Sequence, residues 1–379
     1  MTATDPAPAP VGRPRARARA PFVRAYAPIV VAVALLALVP LRYHDSRALM
    51  GVAVAGLLFA AYAIAFNVIF GSTGQLFLCV GALAGVGGYG SVILSDELGV
   101  PMIVAMALAA LVSALVGGLL SWIAVSRSLD VIFTGIVTLA FSLSFQSLVL
   151  GRRDLTGGET GLRVEAGSET LLGEQVAPYY VFLGLVFVYL VLYRFVQRSR
   201  MGWALRALRD DEVAAELAGV DVTRHRVRAG MIGSAMLGLA GSLWAHSEGF
   251  IGPSTYAFGH VDIRVIVMLS FGGVGTLLGP ILGAVVFTVL DEWLVDYSQL
   301  QVMLYGIVIV VLFLGFRRGV IPTLGSLAGR LSQRRRAGRI DLTGEDETST
   351  LGPGGIDARA RPDPIDRPDD AGAPARGRS

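Results

Sequence analysis

The sequence predicts an all-α integral membrane protein with about ten transmembrane helices, some short or broken, and with both termini in the cytoplasm. Hydrophobic residues make up 54% of the 379 residues and charged residues only 16%, whereas an ordinary soluble domain carries about 25% charge. The mean hydropathy is +0.62. The apolar residues are also gathered into runs of bilayer-spanning length. We therefore expect a multi-pass protein of the cell membrane.

Ten apolar runs follow one another within residues 26–318, the predicted transmembrane domain. They cover residues 26–41, 48–70, 74–95, 101–126, 129–150, 178–196, 226–247, 261–271, 279–296 and 301–316. A span needs about 20 residues, so the short run 261–271 and the glycine-rich run 74–95 are predicted to be short or irregular helices. Residues 1–25 are predicted to be a disordered basic segment and residues 319–379 a disordered cytoplasmic tail, because both lack the apolar residues of a core.

Arginine indicates the orientation, because cytoplasmic loops carry an excess of basic residues and the chain has no Lys. With the N-terminus inside, the cytoplasmic arginines are Arg13 to Arg24, Arg127, Arg198 to Arg209, Arg224 to Arg228, Arg317, Arg318 and Arg330 to Arg336. The arginines left outside are Arg42, Arg47, Arg152, Arg153 and Arg163. This bias makes loop 197–224 cytoplasmic and loop 151–177, rich in acidic residues, extracytoplasmic.

Loop 197–224 contains a polar stretch that is predicted to form a helix over residues 204–220. Ala, Leu, Glu and Arg are strong helix formers, and Gly219 is suited to a left-handed C-terminal stop. Val213, Leu217 and Val220 lie at i, i+4 and i+7, which makes one narrow apolar stripe. Such a helix lies on lipid or docks into a partner protein. Its equal share of acidic and basic residues favours a protein partner.

Several kinds of chemistry are excluded by composition. Without Lys the chain has no P-loop lysine and no Schiff-base lysine, so we expect no ATPase site of its own. Cys79 is the only cysteine, and the four histidines show no metal-ligand spacing. No catalytic residue, no metal site and no nucleic-acid partner is predicted.

Four short sequence segments, here called islands, resemble in the same order segments of the permease family of branched-chain amino acid ABC importers, and in particular its LivM-type branch. The first glycine island runs from Gly71-Ser72-Thr73-Gly74-Gln75-Leu76 to Gly90 and is similar to the family's G-x-x-G-x-L segment. Leu155-Thr156-Gly157-Gly158 is similar to its L-T-G-G loop, and residues 198–224, including Met201-Gly202-Trp203, to its cytoplasmic loop. The second glycine island, Gly272 to Pro280, resembles its G-G-x-G-T-x-x-G-P element. The resemblance covers about residues 27–318.

The resemblance implies a transport subunit rather than an enzyme. It implies a heterodimer with a second permease, two ATPases that bind ATP and Mg²⁺, an extracytoplasmic solute-binding protein, and no cofactor on this chain. Loop 197–224, hereafter the coupling segment, would dock on an ATPase and drive alternating access by moving the attached spans. The predicted contact residues are small residues that permit close approach of the ATPase, charged residues that would fix its position through polar contacts, and a glycine that ends the helix. They are Arg206, Glu212, Ala214, Ala215 and Gly219.

Polar and glycine residues within spans are candidates for the translocation path: Gly74, Gln75, Thr138, Ser142, Gly272 and Gly273. Irregular backbone at membrane depth is tolerated beside a cavity. The alternatives are close helix packing through glycine and hydroxyls bonded to their own helix.

Two expectations concern the outer side of the membrane. Thr156, Gly157 and Gly158 in loop 151–177 are candidate contacts for the binding protein, with an inert loop as the alternative. Asp262 and Arg264 lie near a predicted outer helix end, so we expect both to snorkel to water.

Three competing functions remain open. A permease for urea or short-chain amides would carry the same islands. An ion-coupled secondary transporter would place acidic or His residues deep in spans, but Asp130, Asp262, Asp291 and Glu292 all lie near predicted span ends. A membrane enzyme would need a nucleophile, base or metal constellation, which the sequence does not show.

Overall fold

The computed structural model divides the chain into two units, residues 1–326 and 327–379. It describes residues 22–43, 46–164, 176–295, 303, 306, 307, 309, 310, 314 and 319–323, all in the first unit. Most of the predicted N-terminal segment, the middle of loop 151–177, parts of the run 301–316 and the tail from residue 324 therefore lie outside the described residues. Those predictions stay predictions.

The N-terminal half is a series of helices, with an irregular stretch between the third and the fourth. The helices are α1 (Phe22–Ala37), α2 (Val39–Tyr43), α3 (Arg47–Phe66), α4 (Val80–Asp96), α5 (Met102–Ser126) and α6 (Val131–Gly151). A π-helical turn, Asn67–Gly71, extends α3, and an irregular stretch then leads to α4. Side-chain caps fix several starts: Ser46 accepts from the Leu49 N–H and Asp130 from the Val131 N–H.

The C-terminal half adds shorter pieces between long helices. These are α7 (Arg153–Thr156), a 3₁₀ turn (Gly158–Thr160), β1 (Leu162–Arg163), α8 (Ala177–Arg198), α9 (Arg200–Asp210), α10 (Glu212–Leu217), α11 (Val222–Glu248), β2 (Phe250–Ile251), α12 (Asp262–Gly272) and α13 (Gly279–Val295). The strands β1 and β2 pair antiparallel, with Leu162 opposite Ile251. The described residues are otherwise helical or irregular.

The helices have the length and composition of a membrane protein. Within the described residues, four stretches are long and apolar enough to cross a bilayer: Arg47–Gly71, Met102–Ser126, Val131–Gly151 and Ala177–Arg198. A shorter apolar helix covers Tyr26–Leu41. The prediction of an all-α membrane protein is confirmed, whereas the count of ten crossings and the orientation stay predictions. α1 begins at Phe22, four residues before the predicted start.

Glycines bring α4 and α11 into direct backbone contact. A Cβ atom at Gly87 would lie 2.0 Å from the carbonyl oxygen of Gly238, and one at Gly241 would lie 2.1 Å from that of Ala84. Only glycine fits at such distances. Close helix packing therefore explains Gly87 of the first island, whereas Cβ atoms at Gly81 and Gly88 would instead clash with Tyr256.

α6 contributes little to the core. Its buried residues are mostly polar or small, among them Thr134, Thr138 and Ser142, while large apolar side chains such as Ile132 and Phe133 are exposed. An exposed apolar helix face suits lipid or a neighbouring membrane subunit.

The connecting segments gather at two ends of the helices. The coupling segment shares one end with residues 72–75, the α5–α6 turn and residues 273–276, as shown by their hydrogen bonds and a shared cavity. The paired strands lie at the other end, separated from the coupling segment by the 27 residues of α11, about 40 Å of helix. We call these the coupling end and the β-pair end.

Candidate functional site

Residues 72–79, the first break, interrupt the helix path between the π-helical turn and α4. Gly74 has φ of +75°, which favours glycine. Alternate residues of the break are buried, and the polar side chains of Thr73 and Gln75 are bonded: Gln75 accepts from the Ser121 hydroxyl at 2.8 Å, and the Gln75 N–H donates to Thr73 Oγ1 at 3.0 Å. Irregular backbone inside a membrane needs such partners.

Thr138 joins α6 to the first break. Its Oγ1 accepts from the Leu78 N–H at 2.9 Å and lies 2.9 Å from the Thr134 carbonyl, to which it can donate. The hydroxyl therefore bonds both its own helix and the break. Ser142, one turn further and also buried, makes no hydrogen bond to the break, all of whose residues are described.

Asp262 holds the start of α4. It is fully buried, and its carboxylate accepts from the N–H groups of Val80 at 2.5 Å and Gly81 at 3.2 Å. A carboxylate is well placed there, because helix N-termini present free N–H groups and a positive dipole end. The expectation that Asp262 snorkels to water is wrong, because α12 begins at Asp262 inside the protein rather than at its surface.

Arg264 differs from Asp262 in both exposure and partners. Its side chain is 37% exposed, lies 3.6 Å from the Asp291 carboxylate and stands over the Phe59 ring. Asp262 and Arg264 thus contact different parts of the protein, because residues at i and i+2 on a helix do not face one another.

Residues 273–278, the second break, form a compact turn between α12 and α13. A Cβ atom at Gly272 would lie 1.8 Å from the carbonyl oxygen of Gly279, and Gly273 has φ of +119°. Thr276 Oγ1 donates to the Gly273 carbonyl at 2.7 Å and accepts from the Gly279 N–H at 3.1 Å. The predicted path residues Gly272 and Gly273 are therefore needed for the turn itself.

The coupling segment forms two helices, so the predicted single helix over 204–220 is wrong. Asp211 interrupts it with extended backbone and caps α10 by accepting from the Ala214 N–H at 3.0 Å. Gly219, with φ of +84°, follows the end of α10. Helix propensity favoured one helix, but the Asp211 cap prevails locally.

The predicted coupling residues divide into buried and exposed ones. Ala215 is 5% exposed and packs with Leu205, Leu208, Val222 and Ala229 of the same chain. Ala214 is exposed on α10. The side chain of Ala215 therefore joins α9, α10 and α11 and is not available to a partner.

The two charged coupling residues bond within the chain. Arg206 donates to the Gln197 carbonyl at 2.7 Å and stands over the Trp203 ring. Glu212 forms a bidentate ion pair with Arg226, at 2.8 and 2.9 Å.

α10 exposes its apolar residues. Val213 is 66% exposed and Leu217 is 85% exposed, whereas Val220 is partly buried against the Ala215 cluster. The predicted apolar stripe is thus split, with two of its members on the surface. A bare apolar patch on a short polar connection is typical of a protein-binding surface.

A cavity of about 450 Å³ lies between the first break, the α5–α6 turn and the coupling segment. Its lining is Thr73, Gly74, Gln75, Ala124, Val125, Ser128, Leu129, Asp130, Val131, Thr134, Glu212, Glu216, Val222, Thr223 and Arg226. Of the predicted path residues, this lining contains Gly74 and Gln75. The cavity places the irregular backbone of the break beside the charged face of α10.

The loop predicted to contact a binding protein is a tight turn at the β-pair end. Thr156 is buried, and its Oγ1 lies 2.5 Å from the Val149 carbonyl and 2.7 Å from that of Arg152. Gly157 and Gly158 have positive φ, and Gly158 is also buried. These three residues shape the turn, whereas Glu159 and Thr160 beside them are exposed.

The sequence did not predict the contacts that link the end of the π-helical turn, the second break and the coupling segment. Asn67 and Gln197 bond to backbone of the second break, and Arg209 bonds to the Gly71 carbonyl just before the first. Asn67 stands out in the sequence as an amide inside an apolar run, but nothing there identifies its partner. Among the described residues, no group of three His, Cys, Asp or Glu side chains is arranged to hold a metal ion.

Comparison with known proteins identifies the family. LivM, the high-affinity branched-chain amino acid transport permease of Salmonella typhimurium, is 28% identical, covering 73% of this chain and 71% of LivM. LivM of Escherichia coli is 27% identical over 76% of this chain and 74% of its own length. LivH of Salmonella typhimurium is 27% identical over 52% of this chain and 64% of LivH. No solved structure matches the chain.

The family match covers most of the membrane-embedded region. The family described as branched-chain amino acid transport system / permease component matches residues 48–316, which include both breaks and the coupling segment. The chain is therefore a membrane-embedded member of the branched-chain amino acid transport permease family.

Proposed function

We propose that this chain is the permease subunit of an ATP-driven importer for branched-chain or related amino acids in the plasma membrane. The observation that carries the proposal is the exposed apolar patch of Val213 and Leu217 on α10, in a chain whose relatives are branched-chain amino acid permeases. The proposed partners are a second permease, two ATPases that bind ATP and Mg²⁺, and an extracytoplasmic binding protein. The chain itself carries no ATPase site.

In this proposal the ATPase binds α10 through Val213, Ala214 and Leu217. Ala215 on the opposite face packs against α9 and the start of α11. Because packed side chains transmit displacement as a unit, movement of α10 shifts the ends of α8 and α11 at the same time. That displacement is the proposed origin of alternating access.

The proposed orientation puts the coupling end in the cytoplasm. Among the described residues, that end carries Arg127, Arg198, Arg200, Arg206, Arg209, Arg224, Arg226 and Arg228, and the β-pair end carries Arg47, Arg152, Arg153 and Arg163. This bias supports an inside coupling end. With the ten crossings that the apolar runs predict, both termini would lie inside, and the exposed turn at Glu159 and Thr160 would face the binding protein.

The proposed path runs beside the first break and through the cavity that Gly74 and Gln75 line. α6 borders this region with its polar face inward and its apolar face exposed. The second permease would complete the path from the other side.

The test is uptake by the complex purified from its native membrane and reconstituted in liposomes with its binding protein. We expect uptake of radiolabelled leucine to require ATP, and excess isoleucine or valine, but not urea, to compete with it. Competition by urea alone would favour the amide permease. Uptake driven by an ion gradient without ATP would overturn the proposal in favour of a secondary transporter.

The docking surface is tested with Leu217→Asp, matched by Leu98→Asp at an equally apolar, 68% exposed position of the β-pair end. A charge in a desolvated contact costs about 2 kcal/mol or more, so we expect L217D to lose the ATPases on purification. L98D is expected to retain them. Equal ATPase recovery from the two variants would exclude α10 as the docking surface.

A further inference from the structure

The second break meets the π-helical turn that leads into the first break, about 200 residues away in the sequence, at the coupling end. Asn67, fully buried in the π-helical turn, accepts from the Gly275 N–H at 2.8 Å. Its side-chain amide donates to the Thr276 carbonyl at 2.8 Å. This pair of bonds uses both halves of one amide, so the end of α3 and the second break are held in a fixed register.

Arg209 of α9 reaches the same junction from the coupling segment. Its Nη1 donates to the Gly71 carbonyl at 2.8 Å, and a Cβ atom built at Gly275 would lie 2.8 Å from that nitrogen. Arg209 therefore bonds the residue immediately before the first break and lies beside Gly275 of the second. Gln197, where α8 ends, donates to the Gly275 carbonyl at 3.3 Å.

The chemistry of Gly71 explains why a cation lies there. Gly71 is the last residue of the π-helical turn, and the final carbonyls of a helix lack partners within it. They also form the negative end of the helix dipole, which favours a positive side chain. A guanidinium bond to such a carbonyl is charge-assisted and stronger than a neutral one.

We propose that Arg209 is a positioning residue that makes both helix breaks follow the coupling segment. It rests on the proposed function, because the movement it transmits comes from an ATPase docked on α10. When α9 moves, Arg209 displaces the Gly71 carbonyl, and the Asn67 bonds carry the second break with it. The first break, beside the cavity, thereby changes shape, while the turn between α12 and α13 moves with it as a unit.

The test compares Arg209→Gln and Arg209→Lys with Arg200→Gln, an exposed arginine of the same helix. Each assembled complex is reconstituted, and leucine uptake and ATP hydrolysis are measured together. We expect R209Q to lower the number of leucines moved per ATP about tenfold, R209K to recover part of this ratio, and R200Q to keep the wild-type ratio. A purely structural role would lower uptake and hydrolysis in proportion, and an unchanged ratio in R209Q would overturn the proposal.

A second measurement uses the wild-type complex and so does not depend on the folding of a variant. Hydrogen exchange in the wild-type complex, with and without ATP trapped on the ATPases, is expected to change in residues 71–75 and 273–276 together. A change in only one of the two breaks, or in neither, would overturn the proposal. Absence of ATP-dependent uptake in the wild type would instead refute the proposed function, so the two failures are distinguishable.

Discussion

The first break, residues 72–79, and the second break, residues 273–278, interrupt helices at the same end of the molecule but are held by different means. The first is held from outside: Ser121, Thr138 and Asp262, each on a different helix, bond to it or to the start of the following helix. The second closes on itself through glycines and Thr276, in addition to the bonds that Asn67 and Gln197 make to it.

This difference shows which break is suited to rearrangement. Side chains on separate helices move apart when those helices move, so the bonds of the first break depend on the arrangement of the bundle. The second break keeps its internal bonds under the same displacement and moves as a rigid turn. The cavity beside the coupling segment is lined by the first break, as expected if that break changes shape during transport.

The largest effect is expected at the second break, from Gly272→Ala. The added Cβ would lie 1.8 Å from the backbone oxygen of Gly279, and a backbone atom cannot swing away as a side chain can. We expect a loss of about 3 kcal/mol or more in the free energy of unfolding, measured in lipid bicelles. Gly51→Ala is the control, because its Cβ would meet no described atom within 4 Å. Equal stability of the two variants would mean that the turn is not rigid.

The next effect is expected where the first break meets α4, from Asp262→Ala. This removes the acceptor of two buried N–H groups, those of Val80 and Gly81, at a cost of about 3 kcal/mol. Asp262→Asn keeps one acceptor oxygen and is expected to lose about half as much. Unfolding in bicelles measures both variants. Equal stability of the D262A and D262N variants would mean that the side-chain oxygen of residue 262 does not stabilise the start of α4.

The sequence predicted the breaks better than it predicted what holds them. Glycine-rich stretches in apolar runs indicated irregular helices at both places, because glycine alone permits the positive φ of Gly74 and Gly273. The partners are distant in the sequence, since Asn67 bonds a residue 208 positions away. Local patterns carry no information about such pairs, which depend on how helices pack.

Local sequence patterns also failed to predict the surroundings of two single residues, Asp262 and Ala215. The apolar run 261–271 predicts a helix start at the membrane surface with Asp262 near water, whereas Asp262 is fully buried against the start of α4. The sequence predicts Ala215 as a small contact residue, but Ala215 is buried, and the exposed apolar residues of α10 are Val213 and Leu217. α10 ends at Leu217, and Gly219 with its positive φ turns the chain before Val220, so the periodicity counted from Val213 to Val220 runs past the end of the helix.

The smallest effect is expected at Thr138, which contributes one hydroxyl to the first break. Thr138→Val keeps the shape of the side chain but leaves the part-buried Leu78 N–H without its acceptor, which costs about 1–2 kcal/mol. Ser142→Ala on the same buried face is expected to change stability by less than about 0.5 kcal/mol, since that hydroxyl does not bond the break. If the break rearranges during transport, T138V loses its bond in only one of two states. The leucine transport rate is then expected to change more in T138V than in S142A, and equal rates would indicate that the bond persists throughout the cycle.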